Sequence, residues 1–394
     1  MVSRRVVVLH NLYRSENASG ENLSVLDEVD GLRELGWDVE FVSSDSDVIA
    51  DGDVTLPDLA IRPIRSARSV ARVEETIRRF RPEVALVENL FPLHSPWVVR
   101  TLRASGIPVA AGVRSYRMIC ARADLYRDGR ICRDCVGSVA NLPAVRHGCF
   151  QDSVAHTIPM AVSLRLHRST FRSIDRLLPV SDHVADELAG AGFDRSRMTV
   201  RPNFVTDPGR RSVDDGDGFL FAGRLTDEKG LAVLLEAWRR SGLSRRDVLR
   251  VAGSGPLEGL LAEYVADGVE PLGLVDHDEA LRLVADSAVI VVPSLWPEPF
   301  GRGVIEAAAR SRPSLVSAVG GVGDLVDDGE TGWVAEPDVS SWAQALRRAA
   351  DPDERRRLGE AARDRFEQRY TREVSIGVLD EALDDLRQRR RTHP

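Results

Sequence analysis

Residues 218–242 read GFLFAGRLTDEKGLAVLLEAWRRSG. The opening run GFLFAGRL is short, apolar and free of polar alternation, the pattern of a strand covered on both faces. A polar turn interrupts it, and GLAVLLEAWRRSG continues with helical spacing. Strand, turn and helix make half of a βαβ unit, so the fold depends on whether the unit recurs.

It recurs along the chain. RRVVVLH (4–10), DVEFVSS (38–44), EVALVEN (83–89), IPVAAGV (107–113) and DRLLPVS (175–181) precede it, and DVLRVAGSG (247–255), VIVVPSL (289–295) and PSLVSAV (313–319) follow. Helical segments alternate with these strands; ENLSVLDEVDGLRELG, for example, ends on Gly36 at a C-cap position. The alternation predicts an α/β fold of doubly wound parallel sheets. At 394 residues the chain exceeds a single core, and the polar stretch TDPGRRSVDDGDG (206–218) splits the strands into two series. The reading is therefore two Rossmann-like lobes. The first spans 1–205, with a Cys-rich insertion over 114–150 and the C-terminal helix at about 375–394 packing back on it; the second spans 206–374. DERRRLGEAARDRFEQRY and VSIGVLDEALDDLRQRRR read as two amphipathic helices closing the structure.

Hydrophobic residues at 43% and charged residues at 29% describe a globular chain. The longest apolar run near the start, VVVL (6–9), falls far short of a signal h-region or a membrane span. The expected compartment is a reducing cytoplasm, or the cytoplasmic face of a membrane, which disfavours disulfides. The net charge of −8 sits entirely in residues 201–394, because residues 1–200 are neutral. Within the first half, 101–150 has eight Arg against three Asp, a basic zone suited to a phosphate, to an acidic membrane surface, or to no more than a solvated loop. A net-acidic chain with no basic stripe interleaved with aromatics speaks against nucleic acid as a partner.

Of the 53 basic residues, all but Lys229 are Arg. A compact ammonium differs from a planar fork in size and hydration, so Lys229 marks a place where a guanidinium does not serve. It lies in one of three strand-to-helix turns of the second lobe, where doubly wound sheets bind ligands. In FAGRLTDEKG, Gly223 is followed by Arg224 and, five residues on, by Lys229; two cations flanking a loop suit a diphosphate. In AGSGP (252–256), Gly253 and Gly255 let backbone N–H groups approach an anion or a flat base. In PSLWPEPFGRGVIEAAARSRP, a Pro-rich turn opens a helix running to about Ala309. Glu298 precedes that helix, Glu306 lies on its second turn, and Phe300, Gly301 and Arg302 offer N–H groups at its start. Taken singly, each turn also fits ordinary glycines and solvated glutamates.

Together and in this order, G-R-L-x-x-E-K-G, G-S-G-P and E-P-F-G-R-x-x-x-E resemble the family 4 retaining glycosyltransferases of the GT-B fold. The resemblance covers nearly the whole chain, including PVSDHVADELAGAGFDRSRMTVRPNFV (179–205) and GGVGDLVDDGETGWVAEPDV (320–339). It implies two doubly wound lobes facing each other across a cleft, the first for the acceptor and the second for a UDP-, GDP- or dTDP-sugar donor. Arg224 and Lys229 would bind the donor diphosphate, Glu306 the ribose and Glu298 the hydroxyls of the transferred sugar. Phe300, Gly301 and Arg302 would supply backbone N–H groups. On the acceptor side it implies a small-residue loop at Gly20, where Ser19-Gly20 stands in place of a glycine pair. Transfer would retain the anomeric configuration without a catalytic divalent metal, because fixed cations and a helix N-terminus stabilise the leaving diphosphate. The acceptor would be a hydroxyl of a glycan, a lipid-linked carrier or a small natural product; peripheral contact with a membrane is compatible with this, and the oligomeric state stays open.

One departure stands out. The chain resembles the subgroup of that family with a four-cysteine segment in the N-terminal lobe, whose members often have a His-Asn/Asp-Tyr run where this chain has Arg114, Ser115 and Tyr116. Arg114 is then expected either to contact an anionic group of sugar or acceptor, or to lie in a solvated loop. Just beyond it come all four cysteines, Cys120, Cys132, Cys135 and Cys149, in the spacing C-x11-C-x2-C-x13-C. The expectation is a structural zinc clamping an arginine-rich loop, with His147 able to replace one ligand, ahead of an iron–sulfur cluster or of free or redox-active thiols. Four thiolates would leave no open position for catalysis. Rival readings are a sugar-nucleotide epimerase or non-glycosidic coupling enzyme of the same fold, and a zinc-binding nucleic-acid or regulatory module. A dinucleotide dehydrogenase is disfavoured because no G-x-G-x-x-G follows the first strand.

Overall fold

The computed structural model describes residues 4–13, 20–50, 58, 61–138, 140–210 and 216–392. Ser19 and residues 211–215 of the polar linker lie outside the described residues. The apolar runs of the first half become β1 (Arg4–Leu12), β2 (Trp37–Asp45), β3 (Val84–Val87) and β4 (Val109–Val113), then a short hairpin of β5 (Tyr126–Arg127) and β6 (Arg130–Ile131), then β7 (Arg176–Pro179). Between them run helices α1 (Gly20–Glu34), α2 (Ala67–Phe80), α3 (Trp97–Ala104), α4 (Leu142–His147) and α5 (Val154–Arg172), with α6 (Asp182–Gly190) after β7. The main sheet is parallel throughout, in the order β2-β1-β3-β4-β7. Val6 to Leu9 and Val84 to Val87 are buried, as strands with helices on both faces must be.

The second half builds β8 (Asp217–Ala222), β9 (Leu249–Ala252), β10 (Val269–Gly273), β11 (Ser287–Val292), β12 (Ser314–Ser317) and β13 (Gly332–Ala335). Its helices are α7 (Leu231–Ser241), α8 (His277–Asp286), α9 (Arg302–Ala308), α10 (Val339–Ala349), α11 (Pro352–Arg369) and α12 (Arg372–Thr392). This sheet is also parallel and runs β10-β9-β8-β11-β12-β13, which is the Rossmann order 3-2-1-4-5-6. Its core gathers Phe219, Phe221, Trp238, Trp333 and Trp342. Serine and aspartate caps open many helices: Ser66, Ser153, Ser181, Asp276, Asp338 and Asp351 each accept from a backbone N–H of the first turn. Each such cap contributes about 1 kcal/mol.

The chain divides into two compact units: residues 1–123, 133–201 and 376–394 form one, and residues 124–132 and 202–375 form the other. The β5–β6 hairpin, read from sequence as part of the first lobe's insertion, thus groups with the second unit. From Ile376 onward, α12 belongs to the first, where Leu379, Leu383 and Leu386 join the core of Val6, Val8, Leu32 and Trp37. Asp380 anchors it, accepting from Trp37 Nε1 (2.6 Å) and Arg4 Nη1 (2.9 Å). Among the described residues no helix is long and apolar enough to cross a membrane.

His94 shows what full burial does to a titrating group. Its ring has no exposure and sits 3.1 Å from Ser69 Oγ; burial, reinforced by Arg72, pushes its pKa down to about 4. Between pH 6.5 and 4 the unfolded chain takes up a proton that the fold refuses, so stability falls as pH drops through that window. Thermal unfolding followed from pH 7 to pH 5 should show a falling Tm, and His94→Asn should flatten part of the slope.

Candidate functional site

In the second unit the functional groups cluster where β8 and β11 end side by side. The chain leaves β8 toward β9 on one side and leaves β11 toward β12 on the other, so this is the sheet's topological switch point. Lys229 arrives on the turn after β8, and Glu298 on the turn after β11. Lys229 Nζ donates to Glu298 Oε1 at 2.8 Å, and both side chains are mostly buried. Ser294 Oγ donates to the other carboxylate oxygen at 2.6 Å, so both oxygens of Glu298 are held. The indole of Trp296 lies 5.6 Å from Lys229 Nζ, close enough for a cation–π contact. At the same turns Trp296 Nε1 and Thr226 Oγ1 are buried and make no hydrogen bond among the described residues.

Backbone contact fixes the two turns to each other. Leu295 N donates to the Glu228 carbonyl at 2.8 Å. Gly230 adopts φ +73°, and a Cβ there would fall 1.8 Å from the Pro293 carbonyl oxygen, so only glycine allows this approach. The third loop closes in the same way: a Cβ on Gly253 would lie 1.9 Å from the Gly223 carbonyl oxygen, and one on Gly255 would lie 2.5 Å from that of Leu225. The glycines singled out in AGSGP are therefore steric requirements of loop-on-loop packing. Past β12, Gly321 N donates to the Glu298 carbonyl at 2.7 Å, adding a support that sequence reading had not identified.

The other expected donor groups lie on the turn after β8 and at the start of α9. Arg224 is two-thirds exposed, with Nη2 3.1 Å from Glu228 Oε1. Gly301 caps α9, Phe300 is buried edge-on to Tyr370, and Arg302 Nε donates to Glu306 Oε1 at 3.0 Å one helical turn on. Glu298 and Glu306 thus both carry a cationic partner and are not simply solvated. Ser294 and Trp296 were missed, their only sequence signal being position at the end of a strand already picked out; Gly230 closes the motif G-R-L-x-x-E-K-G but was not named as a site residue.

In the first unit Arg114 is buried and so does not lie in a solvated loop. It is enclosed in a ring of four charges at the carboxyl ends of β3, β4 and β7. Arg114 Nη2 donates to Glu28 Oε1 (2.6 Å) and its Nε to Glu88 Oε2 (3.1 Å). Arg201 Nη2 donates to Glu88 Oε1 (2.9 Å), and its Nη1 lies 2.6 Å from Glu28 Oε1. No member of the ring is more than 9% exposed. Burial opposes ionisation of Glu28, but Arg114 and Arg201 together outweigh it and hold its carboxyl below the usual range. Gly112 makes the space, because a Cβ there would sit 2.1 Å from Glu88 Oε2. The cavity beside the ring, about 60 Å³, is lined by Tyr13, Glu21, Glu88, Arg114 and Arg117 among others. Tyr13 Oη donates to Glu21 Oε2 at 3.1 Å. Tyr116 is fully buried with its ring edge-on to His183, so it acts as a core residue here. Gly20 begins α1.

The four cysteines are all half-buried. Among the described residues no group of three or more His, Cys, Asp and Glu is set to hold a metal ion. The cysteines as placed do not make a zinc ligand set.

Fold order, switch-point charges and glycine-dependent loops define a ligand-binding α/β protein of two Rossmann-like units. Known proteins narrow this. The family model described as glycosyl transferases group 1 matches residues 216–351, and that described as glycosyl transferase 4-like domain matches residues 19–203. Tiled together they span most of the chain, which belongs to the GT-B glycosyltransferases. The glycogen synthase of Mycobacterium tuberculosis is 35% identical over 211 residues, covering 50% of either chain; the chain spans half or less of the length of the first curated relatives it matches. A glycosyltransferase from Rickettsia africae superposes with a TM-score of 0.71 at 16% identity, over 98% of this chain and 99% of that one. Anabaena HepE, solved in complex with UDP-glucose, superposes with a TM-score of 0.63 at 16% identity over 98% and 99%.

The ring yields a prediction that separates a structural Arg114 from one that touches substrate. Removing it leaves two buried carboxylates against Arg201 alone, so Arg114→Ala should cost about 3–5 kcal/mol of stability. Urea unfolding checks this, and an unchanged midpoint would show that the ring does not hold this part of the fold.

Proposed function

We propose that the chain is a retaining glycosyltransferase that moves a sugar from a nucleotide-diphosphate donor to an acceptor hydroxyl. The observation that carries the reading is the Lys229–Glu298 pair seated at the switch point of a Rossmann-ordered sheet. Nucleotides bind at such points, outside the carboxyl ends of the strands. Lys229 and the exposed Arg224 are fixed positive charges for the departing diphosphate, and the start of α9 adds backbone N–H groups at Phe300, Gly301 and Arg302. Charge placed before the reaction begins needs no reorganisation when the leaving group develops its own. Glu298, held by Lys229 and Ser294, is a rigid acceptor for sugar hydroxyls, and Glu306 for those of the ribose. The buried Trp296 Nε1 and Thr226 Oγ1 support a polar ligand in this place. The UDP-glucose complex of the structural neighbour HepE supports a nucleotide sugar as the donor.

The acceptor belongs to the first unit in this reading and is a hydroxyl of a glycan, a lipid-linked carrier or a small molecule. Arg114 is spoken for by its ring, so the acceptor side relies on other groups near Gly20, Glu21 and Arg117. The structural zinc at Cys120, Cys132, Cys135 and Cys149 stands as a separate proposal without support from their placement. Metal analysis of freshly purified, reduced protein decides it: one zinc per chain sustains it and none removes it.

Incubation with UDP-, GDP- and dTDP-sugars, followed by proton NMR of the products, tests the main reading. A new glycoside of unchanged anomeric configuration is expected; a free epimer would instead favour the same-fold epimerase. Lys229→Ala and Glu306→Ala should each lower turnover by about 10²–10³-fold with the fold intact. Lys229→Arg should fall nearly as far, because a guanidinium is too wide for the position between Glu298 and Trp296. Wild-type turnover in all three variants would overturn the assignment of the donor site.

A further inference from the structure

Helix α5 has one side in the core and an opposite side without cover. Thr157, Leu164 and Phe171 are buried, as in any packed helix. On the other side Val154, Ile158, Val162 and Leu166 recur every fourth residue and are 51%, 46%, 39% and 50% exposed. That spacing lines them up in a row about 18 Å long. A helix on the surface of a globular protein usually turns charged and polar residues outward instead. Two more exposed apolar residues extend the patch. Leu142, 67% exposed, opens α4, which packs on α5. Ile61, 59% exposed, belongs to a segment tied to α5 by Ser163 Oγ donating to the Pro63 carbonyl (2.6 Å) and His167 Nε2 to that of Ile64 (2.7 Å).

The segments that carry this row are predominantly basic. Residues 61–72 and 137–173 hold eight Arg against a single acidic residue, Asp152, in a chain whose net charge is −8. Arg65, Arg68, Arg146, Arg165 and Arg172 are exposed. An apolar row bordered by arginines is the arrangement of a helix that lies in a lipid interface, its apolar side in the acyl boundary and its cations over phosphates.

We propose that this face of the first unit docks on an anionic lipid bilayer, with α5 lying in the plane of the headgroups. Charge complementarity selects the bilayer over other occupants. A second copy placed face to face would set the same arginines against one another, which repels. A nucleic acid would meet the charge but find no aromatic in the row on which a base could stack. The inference goes beyond the transfer reaction and does not rest on it, because vesicle binding is read without turnover.

Co-sedimentation of the full chain with vesicles tests it. Phosphatidylcholine vesicles containing phosphatidylglycerol should carry the protein down, phosphatidylcholine alone should not, and added salt should release it. Ile158→Ser with Leu166→Ser, and separately Arg68→Glu with Arg165→Glu, should each weaken vesicle binding about tenfold or more. All four residues point outward, so circular dichroism and Tm should match the parent. Three results would overturn the proposal: no binding to anionic vesicles, binding that both double variants retain, or a dimer seen by light scattering that the serine variant dissolves, which would give the face to a second copy.

Discussion

The adjacency of β8 and β11 governs the second unit. Two strands far apart in sequence lie side by side, and their connections depart in opposite directions, leaving a gap above their carboxyl ends. The protein fills the floor of that gap with an ion pair rather than with apolar side chains. Lys229 and Glu298 come from different turns, so their bond at 2.8 Å also sets the spacing of those turns. Gly230 against the Pro293 carbonyl and Leu295 against the Glu228 carbonyl make the same connection through the backbone. A site built this way is rigid before any ligand arrives, which is the condition under which fixed charges act most strongly on a developing one.

The first unit uses buried charge differently. Its ring of Arg114, Arg201, Glu28 and Glu88 is neutral overall and nearly sealed from water. Burying four ions is tolerable only because each guanidinium reaches both carboxylates, so that no charge stands alone. The ring joins α1, the residues just past β3 and β4, and Arg201, whose N–H donates to the Pro179 carbonyl at the end of β7, and so fixes the carboxyl edge of that sheet. Arginine at position 114 therefore acts as a fastener of the loop that bears Ser115 and Arg117, where sequence alone left open a ligand contact or a solvated loop.

What was legible in the chain, and what was not, follows from range. Buried parallel strands are continuous apolar runs, so nine of them and their helix-opening turns could be read from local pattern. The short β5–β6 hairpin was missed, and so were two parallel strands: β10, an edge strand that includes Glu270 and Pro271, and β13, which opens on Gly332 and keeps only three apolar residues. Both lack the apolar run on which the reading relied. The residues of the donor-side turns were legible as types at positions, yet their pairing was not. Lys229 and Glu298 are 69 residues apart, Arg114 and Glu28 are 86 apart, and Arg201 and Glu88 are 113 apart. Periodicity reports on neighbours a few positions away and is silent on such pairs. The exposed row on α5 was hidden for the opposite reason: its residues look like core until burial shows which side they face.

The bias of this chain toward arginine gains a physical meaning from the two charge clusters. In the ring a fork is needed, because Arg114 uses Nε and Nη2 to bridge Glu88 and Glu28 at once. An ammonium has no such span and could not hold both carboxylates in that geometry. At 229 the demand is reversed. The cation must fit beside an indole, give one N–H to Glu298, and keep donors for something else. An ammonium has three N–H groups on a single atom, so one bond to a carboxylate leaves two to be aimed elsewhere. The one lysine of the chain therefore stands where a compact cation with donors to spare is wanted, while arginine serves where two anions must be joined.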